Sequence, residues 1–264
     1  MGMFSQIEFK KIGIVGGVAW PSTVVYYSEI CRRAEELHRA RELAGSPAIP
    51  EIVIESLDHS RAVSFLGKDE EESSWREFDE YHQTALKRLE ISGAEIAAMA
   101  SNTPHHRFET ITRGVGIPVI NIVEAAAKQC LLLSAHQVLI LGTPITMNSL
   151  KFRKSFADHG IQTSGPGDEQ VESKIAKIIG ELERGCIEGA AERLARIAET
   201  AFRSQFKGQP VVCLACTELP LAFESQKTKC TFEYDGVIYI NTVGAHINAI
   251  FDFAVRQAGA REFP

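Results

Sequence analysis

The stretch Val211-Val212-Cys213-Leu214-Ala215-Cys216-Thr217-Glu218-Leu219-Pro220 sets the reading of the whole chain. Val211 to Ala215 is apolar and β-type, and a helical-looking run follows it. A thiol, a hydroxyl and a carboxylate therefore come together where a strand ends. In open α/β sheets, ligands bind in the crevice outside the carboxyl ends of the strands. A thiolate there acts as a nucleophile or as a proton-abstracting base, so Cys216 is the first candidate for chemistry. Leu214 and Ala215 continue the strand between Cys213 and Cys216, which argues against reading the pair as a redox or zinc CxxC.

Working outward, the same grammar recurs. Lys10 to Gly17 reads as a buried strand entering a glycine turn, with Pro21 in the first turn of a helix that runs to about Leu43. Glu51–Leu57 is a second strand and Ala94–Ala100 a third, the latter ending in Ser101-Asn102-Thr103-Pro104-His105-His106. Gly67 to Ser74 is polar and reads as a loop. Trp75 to Ser92 is an amphipathic helix, and Ile117–Asn121 is a short strand before a helix from Glu124. Then the pattern restarts. Gln137–Thr143 is a strand entering a turn, and a helix runs from about Thr146 to His159 with Gly160 as its stop. Helices follow over Lys174–Glu183 and Ala190–Phe206. Val237–Asn241 is the last strand and Thr242–Gln257 the last helix.

Strands alternating with helices predict mainly parallel sheets. The echo between Ser101-Asn102-Thr103 and Cys216-Thr217-Glu218, each at a strand end, predicts an α/β fold of two pseudo-symmetric domains, each a mainly parallel sheet flanked by helices, with the active site in the cleft between them. The expected division is 1–118 plus 238–264 for the first domain and 119–237 for the second.

Composition narrows the function. The chain has 264 residues, 45% of them hydrophobic and 23% charged, as in a soluble globular protein. A formal net charge of -6 without a basic run excludes a nucleic-acid surface. No apolar run approaches the ~20 residues that span a bilayer, and Met1 to Lys11 lacks the order of a signal peptide, so a cytoplasmic location is expected. Six cysteines are too few for a disulfide framework at this length. Gly13-x-x-Gly16-Gly17 lacks dinucleotide spacing, no Schiff-base lysine motif occurs, and no metal site is expected.

Four motifs then resemble those of the aspartate/glutamate racemases. Gly16-Gly17-Val18-Ala19-Trp20-Pro21-Ser22-Thr23 is similar to the family's GGM-x-W-x-S-T turn, and Ser101-Asn102-Thr103-Pro104-His105 to its first catalytic motif, C/T-N-T-x-H. Leu141-Gly142-Thr143 with Thr146-Met147 resembles LGT-x-x-TM, and Cys216-Thr217-Glu218 resembles the second catalytic motif, G-C-T-E. Asp58 and His246 also fall where one branch carries the same residues. The resemblance implies a cofactor-independent racemase, usually a homodimer, with two opposed bases around a small acidic amino acid. Cys216 matches the base for the L-face. The opposite position is Ser101, whose hydroxyl is a far weaker acid than a thiol near pKa ~8.5. Ser101 would relay a proton from water or a neighbour, mark a single-thiol decarboxylase or isomerase of small dicarboxylic acids, or belong to a protein that binds an acid without turning it over.

Around these catalytic candidates, Asn102, Thr103, Thr217, Glu218 and Thr143 are expected to bind substrate. Asn102 and Thr103 would donate to its carboxylate, and the amides after Cys216 would form a helix N-terminus for an anion. Arg61 would clamp a carboxylate bidentately, or be a surface arginine. Lys174 sits near the family's helix-borne cation, or is an ordinary solvated lysine. Trp20 would wall the cleft or lie in the core. His105 would orient the Ser101 turn.

Overall fold

Ile12–Gly16 (β1) is buried along its whole length, the condition of a strand covered by helices on both faces. The computed structural model describes residues 7–68 and 71–256. β1 turns at Gly17, where φ is +85° and a Cβ would lie 2.2 Å from the Leu57 carbonyl, so only glycine fits. The Gly17 amide donates to Thr23 Oγ1 at 3.0 Å, tying the turn to the first part of α1 (Trp20–Ala40), which has proline at its start. β2 (Ile52–Ser56) leads into α2 (His59–Ser64), capped by Asp58. α3 (Arg76–Ile91) follows a 3-10 turn, Glu72–Trp75, and buries Phe78, Leu86 and Leu89. β3 (Ile96–Met99), the 3-10 turn Thr103–Arg107, α4 (Phe108–Ile111) and β4 (Val119–Ile120) complete this part. The sheet has the order β2-β1-β3-β4, all parallel.

The next part starts with α5 (Ile122–Leu132), capped by Asn121. It continues through β5 (Gln137–Gly142), α6 (Pro144–Asn148), α7 (Leu150–Ala157), β6 (Gln162–Ser164), α8 (Glu169–Glu183) and α9 (Ala190–Arg203). β7 (Val211–Ala215), the 3-10 turn Leu219–Ala222, β8 (Thr231–Tyr234), β9 (Val237–Asn241) and α10 (Thr242–Ala254) follow. The sheet order is β6-β5-β7-β9-β8, with only β8 antiparallel. Without β8, this sheet repeats the order of the first. Asn121 after β4 and Asn241 at the end of β9 even cap their helices alike, accepting from Val123 N at 2.8 Å and Val243 N at 3.0 Å.

Period-two alternation builds the core of the second sheet. Leu139, Leu141, Val212 and Leu214 face α8 and α9 through Ile175, Leu182, Leu194 and Phe202. Val138, Ile140, Cys213 and Ala215 face α5 and α7 through Ile122, Ala126, Phe152 and Phe156. Each fully buried Leu, Ile or Phe side chain contributes about 1.5–3 kcal/mol.

The chain forms two compact units. One takes the chain up to Ala100, then Thr110–Ile120 and the chain from Ile247 onward; the other takes Ser101–Glu109 and Asn121–His246. Residues 238–246, expected in the first domain, lie in the second because β9 hydrogen-bonds to β7. The helix expected over 146–159 is two helices, since Ser149 takes an extended conformation and caps α7 through its hydroxyl. α8 begins at Glu169, earlier than Lys174, with Asp168 accepting from two backbone amides. α10 ends at Ala254; Gln257 lies outside the described residues, as do Met1 to Gln6 of the N-terminal stretch and residues 69–70 of the polar loop. No helix of the described residues is long and apolar enough to cross a membrane.

Candidate active site

Strand register decides which side chains gather in the second unit. Gly142 pairs with Ala215, and Leu214 with Asn241. Thr143, Cys216 and Thr242 therefore leave the sheet side by side, at the carboxyl ends of β5, β7 and β9. The strands approach closely there: a Cβ on Gly142 would lie 2.4 Å from the Ala215 carbonyl and 2.3 Å from Thr146 Oγ1. Thr143 is half-buried and caps α6 by accepting from the Thr146 amide.

Cys216, Thr217 and Glu218 are all buried. Cys216 Sγ donates to Glu218 Oε2 at 2.9 Å, and Thr217 Oγ1 lies 3.0 and 3.1 Å from the two oxygens of the same carboxylate. Burial, then the Glu218 charge and its hydrogen bond to the sulfur, push the Cys216 thiol well above the ordinary thiol range. The backbone amides of Glu218 and Leu219 point at the sulfur and pull the other way, without prevailing. The expected helix after Cys216 is a single 3-10 turn, Leu219–Ala222. The amides of Glu218 and Leu219, at its start, bond the Cys216 sulfur. The resting side chain is a protonated thiol.

The Ser101 segment reaches this edge through Thr242. Thr242 Oγ1 donates to the Leu214 carbonyl at 2.8 Å and accepts from Asn102 Nδ2 at 3.1 Å. Asn102 is 3% exposed, and its Oδ1 has no partner among the described residues. Its free atom is thus an acceptor, whereas the expected role was donation to a carboxylate. Ser101 is buried and Thr103 half-buried. His105 stacks on Phe108 with ring centres 5.4 Å apart, meets His246 edge-on at 5.5 Å and accepts from the Ile122 amide at 3.4 Å. His106 Nδ1 lies 2.6 Å from Ser149 Oγ. These contacts hold the 3-10 turn after Ser101 in place.

Lys174 is exposed on α8, whose Ile175 and Ile178 face the core. Two expected residues belong to the first unit and are described there. Trp20 is 71% exposed, which excludes the core. Arg61 lies over the rings of Tyr81 and Phe65 at 5.1 and 5.7 Å. It lines a cavity of about 430 Å³ together with Glu55, Glu77, Glu80 and Arg88, and Arg88 pairs with Glu55 at 2.6 Å. Asp58 is engaged as the cap of α2. Two features escape the sequence reading: Glu218 as the partner of the thiol, and Thr242 as the link between segments. Thr242, like Thr143, is a hydroxyl directly after a strand, and that pattern is the signal that could have found it.

The sequence profile of the Asp/Glu/hydantoin racemases matches residues 15–250. The chain belongs to the Asp/Glu/hydantoin racemase family. Among solved structures of similar chains, an aspartate racemase homologue from Pyrococcus horikoshii OT3 is 30% identical over 92% of this chain and 98% of its own, with a TM-score of 0.69. A putative Asp/Glu racemase from Yersinia pestis, 24% identical over 92% and 98%, superposes with a TM-score of 0.74. Glutamate racemase from Campylobacter jejuni subsp. jejuni, 19% identical over 95% and 89%, gives 0.59. The last two attest the fold alone. Family membership agrees with the repeated strand order and with the positions of the Ser101 and Cys216 segments at strand ends.

Proposed function

We propose that the chain is a cofactor-independent racemase of aspartate, glutamate or a similar acidic amino acid, in which Cys216 exchanges the α-proton on the L-face. One observation carries the reading: a buried thiol at a strand's carboxyl end, 2.9 Å from a buried carboxylate, with two amides on its sulfur. Transfer of the thiol proton to Glu218 creates no net charge in the pair. It leaves a thiolate that already has two N–H donors, which offsets part of its desolvation. The thiolate then takes the α-proton. The C–H bond breaks, an S–H bond forms, and the electron pair moves into the substrate carboxylate. Return of a proton on the opposite face falls to the Ser101 side. A serine hydroxyl does not ionise near neutral pH, so it relays a proton from water; the hydroxide this leaves is neutralised through solvent by the proton held on Glu218, which restores the carboxylate beside the Cys216 thiol, and turnover of the D-enantiomer is the slow direction. The same reading takes the protein as a homodimer, as the resemblance implies, placed in the cytoplasm on its composition.

A second reading has support in the resting thiol. A group that keeps its proton is a ready donor to the carbanion left by decarboxylation, and Ser101 removes the need for a second thiol. That enzyme would act on malonate- or maleate-like acids; a non-catalytic acid-binding protein would turn over neither class. Incubating L- and D-aspartate and glutamate in heavy water and following α-deuterium by NMR decides between them. Exchange from the L-enantiomers supports the racemase; its absence from all four, with carbon dioxide release or isomerisation from diacids, supports the second reading.

A further inference from the structure

The segment that carries Cys216 and Glu218 does not end with its 3-10 turn. From Glu218 onward, short turns follow one another without a gap. The Leu221 amide donates to the Glu218 carbonyl at 2.8 Å, Phe223 to Pro220 at 3.0 Å, Gln226 to Phe223 at 2.7 Å and Lys229 to Gln226 at 3.0 Å. The chain between Glu218 and Lys229 therefore has little slack. Phe223, midway along it, packs on Phe232 and Tyr239 with ring centres 5.0 and 4.9 Å apart, and shares a buried cluster with Cys216 and Leu219.

Asn241 ties down the far end of this run. Its side chain is fully buried, and its two ends have different partners. Oδ1 caps α10 by accepting from the Val243 and Gly244 amides at 3.0 and 3.3 Å. Nδ2 donates to the Lys227 carbonyl at 2.8 Å, and the Asn241 backbone amide donates to the Cys230 carbonyl at 2.8 Å. Gly244 makes room for the same stretch: a Cβ there would lie 2.6 Å from the Lys229 carbonyl oxygen.

We infer that Asn241 is a positioning residue for the Cys216–Glu218 pair, acting through the run of turns that ends at Lys229. This role rests on the reading of that pair as the proton-transfer site. With the far end released, the turns open back toward Glu218, the carboxylate moves off the thiol and water reaches the sulfur.

Alkylation of the full chain by iodoacetamide at fixed pH, followed cysteine by cysteine by mass spectrometry, tests this. Asn241→Ser keeps a side-chain acceptor for the cap and removes the donor to Lys227. Gly244→Ala leaves the Asn241 side chain intact, suits a helix and pushes on the Lys229 carbonyl, so it carries the test if Asn241→Ser does not fold. In each, Cys216 should react about three- to tenfold faster than in the wild type, the shift in local opening that one lost hydrogen bond allows. Cys130 and Cys213, buried in the cluster on the opposite face of the sheet, report general loosening, and their rates should not change. Where the wild type exchanges the α-proton of L-aspartate or L-glutamate, the variants should exchange it more slowly. A Cys216 rate that stays level in a folded variant, one that rises only together with those of Cys130 and Cys213, or an undiminished exchange rate would overturn the assignment. A faster Cys216 with no exchange in any of the proteins would sink the racemase and leave Asn241 in its role.

Discussion

Cys216 Sγ and Glu218 Oε2 are 2.9 Å apart in a buried setting, and one proton serves both groups. The Glu218 charge and hydrogen bond hold the thiol proton on, so their removal makes ionisation easier. In Glu218→Gln the thiolate should form at lower pH than in the wild type. The ultraviolet absorbance of the thiolate, taken as a difference from Cys216→Ala, reads this directly. The same variant loses the proton acceptor, and α-deuterium exchange should fall about a hundredfold or more, the usual scale for a positioned base. A thiolate that forms more readily together with undiminished exchange would remove Glu218 from proton transfer.

Replacing the thiol and adding a second one should act in opposite senses. Cys216→Ala should abolish α-deuterium exchange from L-aspartate and L-glutamate, with the fold intact by circular dichroism. Ser101→Cys supplies a group with pKa ~8.5 where a hydroxyl stands, and turnover of the D-enantiomer should rise. A D-enantiomer rate that stays level or drops would argue against proton return from the Ser101 side.

Gly142→Ala tests the close approach of β5 to β7. The added methyl would meet the Ala215 carbonyl at 2.4 Å, a backbone atom that cannot swing aside. Overpacking of this kind costs about 1–3 kcal/mol. Because Ala215 precedes Cys216, the shift should reach the thiol. Chemical denaturation should show the loss of stability, and exchange should fall further than unfolding explains.

His82 predicts a pH dependence of stability. It is fully buried on α3, and burial pulls its pKa from 6.5 down to about 4. Nδ1 faces the Phe78 carbonyl at 2.8 Å, while Nε2 is buried without a partner among the described residues. The folded state resists protonation and the unfolded state does not. Stability is therefore full above pH 6.5 and declines as pH falls toward about 4, by about 3 kcal/mol in all. His82→Leu should be less stable near pH 8, since the Phe78 bond is lost, but should show a flatter decline between these values. Urea unfolding at several pH values measures both; an unchanged slope in the variant would place the dependence elsewhere.

The long buried strands were legible because their signal is continuous. β1, β5, β7 and β9 are apolar runs ended by glycine or a polar residue, and burial on both faces demands that pattern. β6 and β8 sit at sheet edges, where Gln162, Thr231 and Glu233 carry no such signal. The break at Ser149 was hidden because a serine cap looks locally like any helical serine. Cys216 stood out by residue type and place. The partners that define its chemistry did not: the state of the thiol depends on how deeply Glu218 is buried, and the polarity of Asn102 depends on a hydroxyl far along the chain.

That distance has a consequence for how the protein is made. Asn102 and Thr242 are 140 positions apart. At a synthesis rate of about 5–20 residues per second, the Ser101 segment leaves the ribosome roughly 7–28 seconds before its anchor does. The first sheet has all four of its strands by then, and Phe108, Ile122 and Ser149 are available to the turn at its third strand's end, but the Asn102 amide still lacks its partner. A nascent chain halted anywhere short of Thr242 lacks the lock on Asn102, so the finished site exists only in chains that extend past Thr242.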